Sequence, residues 1–399
     1  MSCSSSCQTS ISRLGQNSSL SILNSTEEDI LEDAEILDIP TTRLIMKILM
    51  FAVTPGIGVL GIIGNTLSII VIKKHGFKKS SNILLFSLAI ADIVFLVAFN
   101  SIPKIIYETS YVRGYDGFSE EESWVLVVFY SIFMSLDFSS SLVSLLMPMC
   151  ITLERLIVIF LPLHAFRIVT PKRTWCVVII LVLYSLSLFV YPMAWFELHY
   201  VWDPKYNRTI GYREFSSLRD RDVNIVKVID EISVYSIVVV PPLFTVVGCV
   251  IIFIKIKIVS LKRTQMTSKE VSTNRTTKML LAVCAVYTVT CAILTIPINI
   301  PVISYGPFSE VHPSNIAIVM YQVMNLAICI NSSCNFIIYV GLNKTFRKTY
   351  NQIFCSKSAA SDKSFSMQGK YTASNLSTSA VASQSSQMSS ADMDDDDEL

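Results

Sequence analysis

Seven stretches of this chain are each apolar over the length of a bilayer-crossing helix, with approximate limits 44–72, 82–104, 124–158, 174–195, 229–258, 278–304 and 314–341. A hydrocarbon core asks for about 20 predominantly apolar residues per helix. Lipid offers the backbone no hydrogen-bond partners, so such segments cross it as α-helices. The sequence therefore predicts an all-α membrane protein, a seven-transmembrane helix bundle over 44–341. With 52% hydrophobic and 16% charged residues, the chain is unusually oily for a soluble fold, which supports the same class.

Seven crossings put the two ends on opposite sides, and the charges of the connections say which side is which. Lys73, Lys74, Lys78 and Lys79 follow span one; Arg167, Lys172 and Arg173 follow span three; Lys255, Lys257, Lys262, Arg263, Lys269, Arg275 and Lys278 surround the link after span five. Basic residues are retained in the cytoplasm. On the other side stand Glu27, Glu28, Asp29, Glu32, Asp33, Glu35 and Asp38 before span one, and Glu120, Glu121 and Glu122 before span three. The expectation is a multi-pass protein of the plasma membrane with its amino terminus outside and its carboxyl terminus inside. Residues 1–43 then form a disordered extracellular segment. Met1 to Thr26 is polar, with no apolar core for a cleavable signal, so span one directs insertion. Asn17, Asn24 and Asn207 begin glycosylation acceptor patterns on the outer side; Asn274 and Asn375 match as well but lie inside.

Polar residues within the spans carry the functional signal, because a polar group in hydrocarbon persists mainly where it faces a bundle interior, a partner or a cavity. Span seven contains Asn331-Ser332-Ser333-Cys334-Asn335-Phe336-Ile337-Ile338-Tyr339, with Asn331 and Asn335 one helical turn apart. In span three, Asp137, Ser144 and Arg155 fall within a wedge of roughly 40° at 100° per residue, a polar line through the membrane. Asp92 in span two is the other deeply placed carboxylate.

These residues, taken in order, resemble the rhodopsin-like G-protein-coupled receptors over roughly 44–355. Span one carries Gly64-Asn65 and span two Leu88-Ala89-Ile90-Ala91-Asp92. Span three ends in Glu154-Arg155-Leu156, with Pro162-Leu163 shortly beyond. Span five has Pro241-Pro242, span six Pro297, and span seven the run from Asn331 to Tyr339. The resemblance implies that Asp92, Ser144, Asn331, Ser332 and Asn335 form a buried pocket for an allosteric sodium ion. It implies that Arg155 rests against Glu154 and on activation faces a heterotrimeric G protein, with Leu163, Pro297, Asn335 and Tyr339 in the coupling and activation machinery. Asp137 lies where receptors of this family hold a ligand's ammonium group or basic side chain.

The chain also departs from the family. Tyr130 stands where a cysteine of the third helix is expected and 196–228 holds no cysteine, so the usual tie to the second outer loop is absent; Cys3 and Cys7 leave a short local bridge or free thiols. Thr295-Ile296-Pro297 replaces a Trp-x-Pro switch, Phe336 replaces the seventh-helix proline, the fourth span lacks its central Trp, and Pro148 predicts a kink in span three. The departures suggest a divergent receptor of invertebrate type. Its span-seven run is similar to that of invertebrate neuropeptide receptors, with chemosensory receptors the neighbouring class. Cys329 and Thr295 stand at two positions of an amine receptor's aromatic cage. A peptide is therefore the expected extracellular ligand, with an amine or other small molecule as the alternative. The acidic outer segments would concentrate a cationic ligand.

After span seven, Phe346, Tyr350 and Phe354 recur at spacing four, an interfacial helix over 342–355 lying on the lipid bilayer. Cys355 beside it is a palmitoylation candidate. Residues 356–399, rich in Ser and poor in large apolar groups, form a disordered cytoplasmic tail, a substrate for receptor kinases and then a contact for arrestin.

Two motifs fail on context. Gly56-Ile57-Gly58-Val59-Leu60-Gly61 matches a dinucleotide fingerprint but lies inside span one with no βαβ unit, and reads as helix packing. The terminal Asp396-Asp397-Glu398-Leu399 resembles a retrieval signal that is read in the lumen, whereas this end is cytosolic. His75, His164, His199 and His312 are scattered, with no metal spacing or nucleophile elbow, so neither an enzyme nor a nucleic-acid binder is expected. A transporter or channel is the rival from another class, but no internal repeat favours it.

Overall fold

The computed structural model describes residues 37–113, 118–204, 207–264, 274–298 and 314–354. Cys3, Cys7, Asn17, Asn24, Cys355 and the 356–399 tail lie outside the described residues. The chain divides into two units, Met1–Arg347 and Lys348–Leu399. Of the second, the description reaches 348–354, where the chain is helical.

Each span becomes helix where the apolar run predicts it, and the breaks follow from identifiable residues. Span one is α1 (Ile39–His75), started by Asp38, whose carboxylate accepts from the Thr41 N–H at 3.2 Å. It closes on Gly76 at φ 76°, the left-handed region that suits glycine. A π-helical turn at Leu49–Val53 sits just before Pro55. The proline cannot donate to the carbonyl one turn back and its ring crowds that carbonyl, so the helix widens there. Span two is α2 (Ser80–Phe99). It stops earlier than the sequence reading expects: Asn100 turns its amide back onto the Leu96 carbonyl at 2.7 Å, and the chain restarts as α3 (Ile102–Arg113).

Span three is the 41-residue α4 (Glu120–Phe160). Ser119 and Glu122 form a capping box at its start, and three glutamates occupy the first turn, where the helix dipole favours anions. The helix continues through Pro148, where Thr152 Oγ donates to the proline carbonyl at 2.8 Å. A short helix, α5 (Pro162–Ile168), leads to span four, α6 (Pro171–Val190), which ends in a 3-10 turn at Tyr191–Trp195. There follow two antiparallel strands, β1 (Phe196–Asp203) and β2 (Arg208–Phe215), in register from Phe196 opposite Phe215 to Asp203 opposite Arg208. Asn207 lies in the connecting turn at φ 49°, a conformation asparagine tolerates better than most side chains.

After α7 (Ser217–Arg221), span five is built from α8 (Val223–Val234), a π-helical turn at Tyr235–Val239 and α9 (Val240–Thr264). Here too the π turn precedes prolines, Pro241 and Pro242, for the same backbone reason. Spans six and seven are α10 (Asn274–Ile298) and α11 (Asn315–Leu342); α12 (Lys344–Phe354) follows. Among the described residues, six helices are long and apolar enough to cross a membrane, and α10 contains a shorter apolar segment, Ala285–Ile296. This is a seven-helix bundle.

Two apolar cores hold α2 and α4 at its centre. Ile83, Leu88, Val143, Met147 and Ile252 pack in one; Phe95, Phe99, Leu145, Tyr287 and Cys329 pack in the other. Burying a side chain of this size stabilises by roughly 2 kcal/mol in water, but lipid is as apolar as the core, so close packing and polar contacts decide which faces turn inward. Leu60, Ile180, Leu183, Leu243 and Ile337 are exposed on the outer surfaces of their helices.

Small residues let α1 approach its neighbours. A Cβ on Gly64 would lie 2.9 Å from Phe336, and one on Gly61 would lie 2.6 Å from Leu96 and collide with Ser333. Gly56, by contrast, faces open space.

Candidate functional site

The hydroxyls and amides of the spans converge on Asp92. Its side chain is fully buried on α2; one oxygen accepts from Ser144 Oγ on α4 at 2.6 Å and the other from Asn335 Nδ2 on α11 at 2.8 Å. Asn65 on α1 donates to the Ser332 carbonyl at 2.8 Å, and Ser333 Oγ donates to the Ile57 carbonyl at 3.2 Å. Four helices are thus tied through one buried centre. Ser332 is buried beside it, and Asn331 is buried on the same helix. The Ser332 hydroxyl oxygen and Asn65 Oδ1 have no hydrogen-bond partner among the described residues. Orphaned buried polar atoms cost about 1–3 kcal/mol each, so this centre is polar beyond what its own hydrogen bonds satisfy.

A second buried carboxylate lies nearer the end of the bundle that carries the hairpin, and here the sequence reading misses the partner. Asp137 on α4 is ion-paired with Lys104 on α3, with the two side chains 4% and 1% exposed. The Lys104 ammonium also lies 4.2 Å from the centre of the Phe99 ring and 5.7 Å from that of Phe138, within cation–π range. Taken as the final residue of span two, Lys104 reads from sequence as an interfacial terminator. Its signal is the isolated acid at Asp137, which inside a membrane calls for an isolated cation nearby.

The hairpin itself is fixed to α4 without a disulfide. Arg213 of β2 lays its guanidinium over the Phe196 ring at 3.4 Å and over Tyr130 at 5.1 Å, so Tyr130, standing at the missing cysteine's position, takes part in the tie. Ser123 Oγ donates to the Gly211 carbonyl at 3.3 Å, and Phe118 forms a backbone bridge to the same glycine. A Cβ on Gly211 would lie 2.8 Å from the Ser123 oxygen, so the close approach needs a glycine there. Tyr130 stacks in turn on Tyr107 at 4.4 Å. Beyond α6, the Tyr191 hydroxyl and the Trp195 indole both donate to Asp222, at 2.6 and 3.1 Å, and hold its carboxyl below the usual carboxylate range.

At the opposite end of α4, Arg155 Nε lies 3.2 Å from Glu154, with the arginine side chain 27% exposed. On the adjoining α5, Leu163 and Phe166 are 88% and 89% exposed, large apolar side chains with little around them. Tyr339 is buried on α11, its ring 5.7 Å from that of Phe346 and its hydroxyl without a partner among the described residues. Pro297 falls in the last turn of α10. Asn207 is exposed in the hairpin turn.

The geometry brings together Asp92, Ser144 and Asn335 with Ser332 alongside, buries Asn331 on the same helix as Asn335, and pairs Arg155 with Glu154. Asp137 is a separate centre with its own cation. The profile of the family described as 7 transmembrane receptor (rhodopsin family) matches residues 64–339, which contain all these groups. An FMRFamide receptor of Drosophila melanogaster is 26% identical over 310 residues, 77% of this chain and 54% of that protein, so the chain spans about half the length of this relative. A probable G-protein coupled receptor of Caenorhabditis elegans, frpr-1, is 23% identical over 314 residues, 74% of this chain and 76% of that protein. Both relatives are invertebrate, as the span-seven run implies. The chain belongs to the rhodopsin family of seven-transmembrane receptors, and it is a multi-pass membrane protein and not an enzyme.

Proposed function

We propose that this chain is a cell-surface receptor that binds a peptide on its hairpin side and activates heterotrimeric G proteins on the other. The observation that carries the reading is the polar route along α4. Asp92 ties α2, α4 and α11 through neutral donors, Asn65 joins α1 to α11 beside them, and the same α4 ends in the Arg155–Glu154 pair beside two exposed apolar side chains on α5. A displacement of helices at one end therefore bears on an arginine that solvent already reaches at the other. Basic residues flank that end, which supports its facing the cytoplasm. Arg155, with Leu163, Tyr339 and Pro297, is assigned to coupling.

A peptide ligand is favoured on two grounds. The fly relative is named for one, FMRFamide. In addition, the acid that would anchor a small amine already holds an ammonium, that of Lys104. A basic group on a peptide would have to compete with Lys104 for Asp137, and the rest of the peptide would supply contacts that a bare amine lacks.

The residues around Asp92 fit a sodium ion. The donor set is oxygen, which suits a hard cation, the carboxylate has no cationic partner among the described residues, and the Ser332 oxygen lies beside it. Asp92, Ser144, Asn331, Ser332 and Asn335 would hold the ion, whose charge would offset the buried carboxylate and favour the resting arrangement of the helices. Glycans on Asn17, Asn24 and Asn207, acylation of Cys355, and kinase and arrestin contacts of the tail complete the reading.

The test uses membranes carrying the full chain, with FMRFamide as the first probe and a peptide panel after it, and reads nucleotide exchange on added G protein. Peptide-driven exchange is expected, and Arg155→Ala should abolish it while peptide binding survives. Undiminished exchange in Arg155→Ala would overturn the assignment of Arg155. Ion flux into vesicles without G protein would point to the rival class.

A further inference from the structure

We propose that Lys104 is a built-in ammonium ligand: it fills a cation box made by Asp137, Phe99 and Phe138, and by doing so it excludes free amines from the receptor. The box has the chemistry of a primary-ammonium site, a carboxylate on one side and two aromatic faces at 4.2 and 5.7 Å from the charge. The Lys104 and Asp137 side chains are almost wholly buried, so bulk water does not weaken the attraction.

The box is assembled from three separate elements. Phe99 closes α2, Lys104 comes from the first turn of α3, and Asp137 and Phe138 come from α4. The break at Asn100 and Ser101 lets the lysine turn inward: Asn100 caps the end of α2 through Leu96, and α3 begins again with Lys104 in its first turn. Without that break, Lys104 would continue the α2 spiral past Phe99.

Tethering decides the competition. A lysine held next to its acid acts at an effective concentration in the millimolar range or above, so a free amine at micromolar levels cannot replace it. The positions where an amine receptor's cage is expected, Cys329 and Thr295, are not aromatic here, whereas the aromatic faces gather around the receptor's own lysine. Lys104 is thus a specificity-determining residue, one that acts by occupying the site.

The inference deepens the peptide-receptor reading, and its test is independent of agonist and G protein. Lys104→Ala removes three methylenes and the ammonium, the fragment that n-propylammonium replaces. The full chain is purified in lipid nanodiscs, and thermal stability is measured with millimolar n-propylammonium, its methyl and hexyl analogues, and tetramethylammonium, which cannot donate a hydrogen bond. Lys104→Ala should lower Tm by about 5 °C or more. n-Propylammonium should restore most of the loss, and its analogues less. The wild type and the Lys104→Ala, Asp137→Asn double variant should not respond.

If Lys104→Ala does not accumulate, n-propylammonium in the culture medium should restore its yield, and the charge exchange Lys104→Asp with Asp137→Lys should accumulate without it. Three results overturn the proposal: a Lys104→Ala variant as stable as wild type, equal responses in the wild type or the double variant, or no dependence on chain length. None of these bears on peptide-driven exchange, which can fail or succeed separately.

Discussion

Asp92 and Asp137 lie on neighbouring helices, 0% and 3% exposed, yet the bundle handles the two charges in different ways. Asp137 is paired with Lys104, a full positive charge from the same chain, beneath aromatic rings. Among the described residues Asp92 is met by neutral groups, the Ser144 hydroxyl and the Asn335 amide, with the Ser332 hydroxyl beside it. A pair closed within the chain has little to gain from an outside ion. A carboxylate met only by neutral donors is left with net charge, and its energy depends on what else enters. The first arrangement fixes helices in place, whereas the second leaves them responsive.

The largest expected effect comes from opening the closed pair. Asp137→Asn strands the Lys104 ammonium in a buried site, which should cost about 3–5 kcal/mol of stability. Loss of agonist response in that variant would then mix unfolding with lost recognition. Replacing both partners, Lys104→Met with Asp137→Leu, should recover most of the stability because no charge is left unpaired. The proposed ligand role of Asp137 is tested in that background: a cationic peptide should lose potency at normal surface expression. If Asp137→Asn is as stable as wild type, the contrast between the two carboxylates disappears.

A smaller effect on stability is expected at Asp92, with a larger one on ion response. Asp92→Asn keeps a side chain of the same shape that can still accept from Ser144, and it removes a buried charge that has no cationic partner among the described residues. In sodium-free buffer its stability should change by no more than about 1 kcal/mol. Sodium should raise the Tm of the wild type by mass action and leave that of the variant unchanged. A loss of several kcal/mol would make Asp92 a structural charge like Asp137. A sodium response retained in the variant would move the ion elsewhere. Ser332→Ala should be milder still, weakening the sodium response with little change in sodium-free stability, since its hydroxyl makes no hydrogen bond of ordinary geometry among the described residues.

How far each centre could be read from sequence follows the same division. Asp92, Asn331 and Asn335 announce themselves as polar residues within long apolar runs, and their helical spacing already turns the two asparagines one way. Lys104 does not, because a lysine at the edge of an apolar run ordinarily marks the water boundary. Only the turn at Asn100 and Ser101, a local backbone event, carries it inside. The hairpin was legible in principle. Phe196, Leu198 and Tyr200 alternate with Glu197 and His199, the period of a strand, before Val201 interrupts the pattern. Its anchoring was not, since Arg213 and Tyr130 are distant in sequence and meet only through the hairpin's position on α4. The π turns before Pro55 and Pro241 lay between these extremes: the prolines forecast a disturbance but not its form.

The smallest expected effect belongs to a third carboxylate, Asp222, which stays partly exposed and so bounds the contrast from the solvent side. The Tyr191 hydroxyl and Trp195 indole hold its carboxyl below the usual range. A carboxyl whose folded value is depressed contributes stability that is fully present above its unfolded value, near 4, and is lost as pH falls through the folded value. Because water also solvates this group, Asp222→Asn should shift Tm by no more than about 2 °C at neutral pH, and the difference should vanish in acid. Measured beside Asp137→Asn and Asp92→Asn, it separates the cost of burying a charge from the cost of losing hydrogen bonds. Asp222 has donors similar in number to those of Asp92 but keeps its water, so a large effect at Asp222 would mean that the donors, and not the burial, set the energy of all three sites.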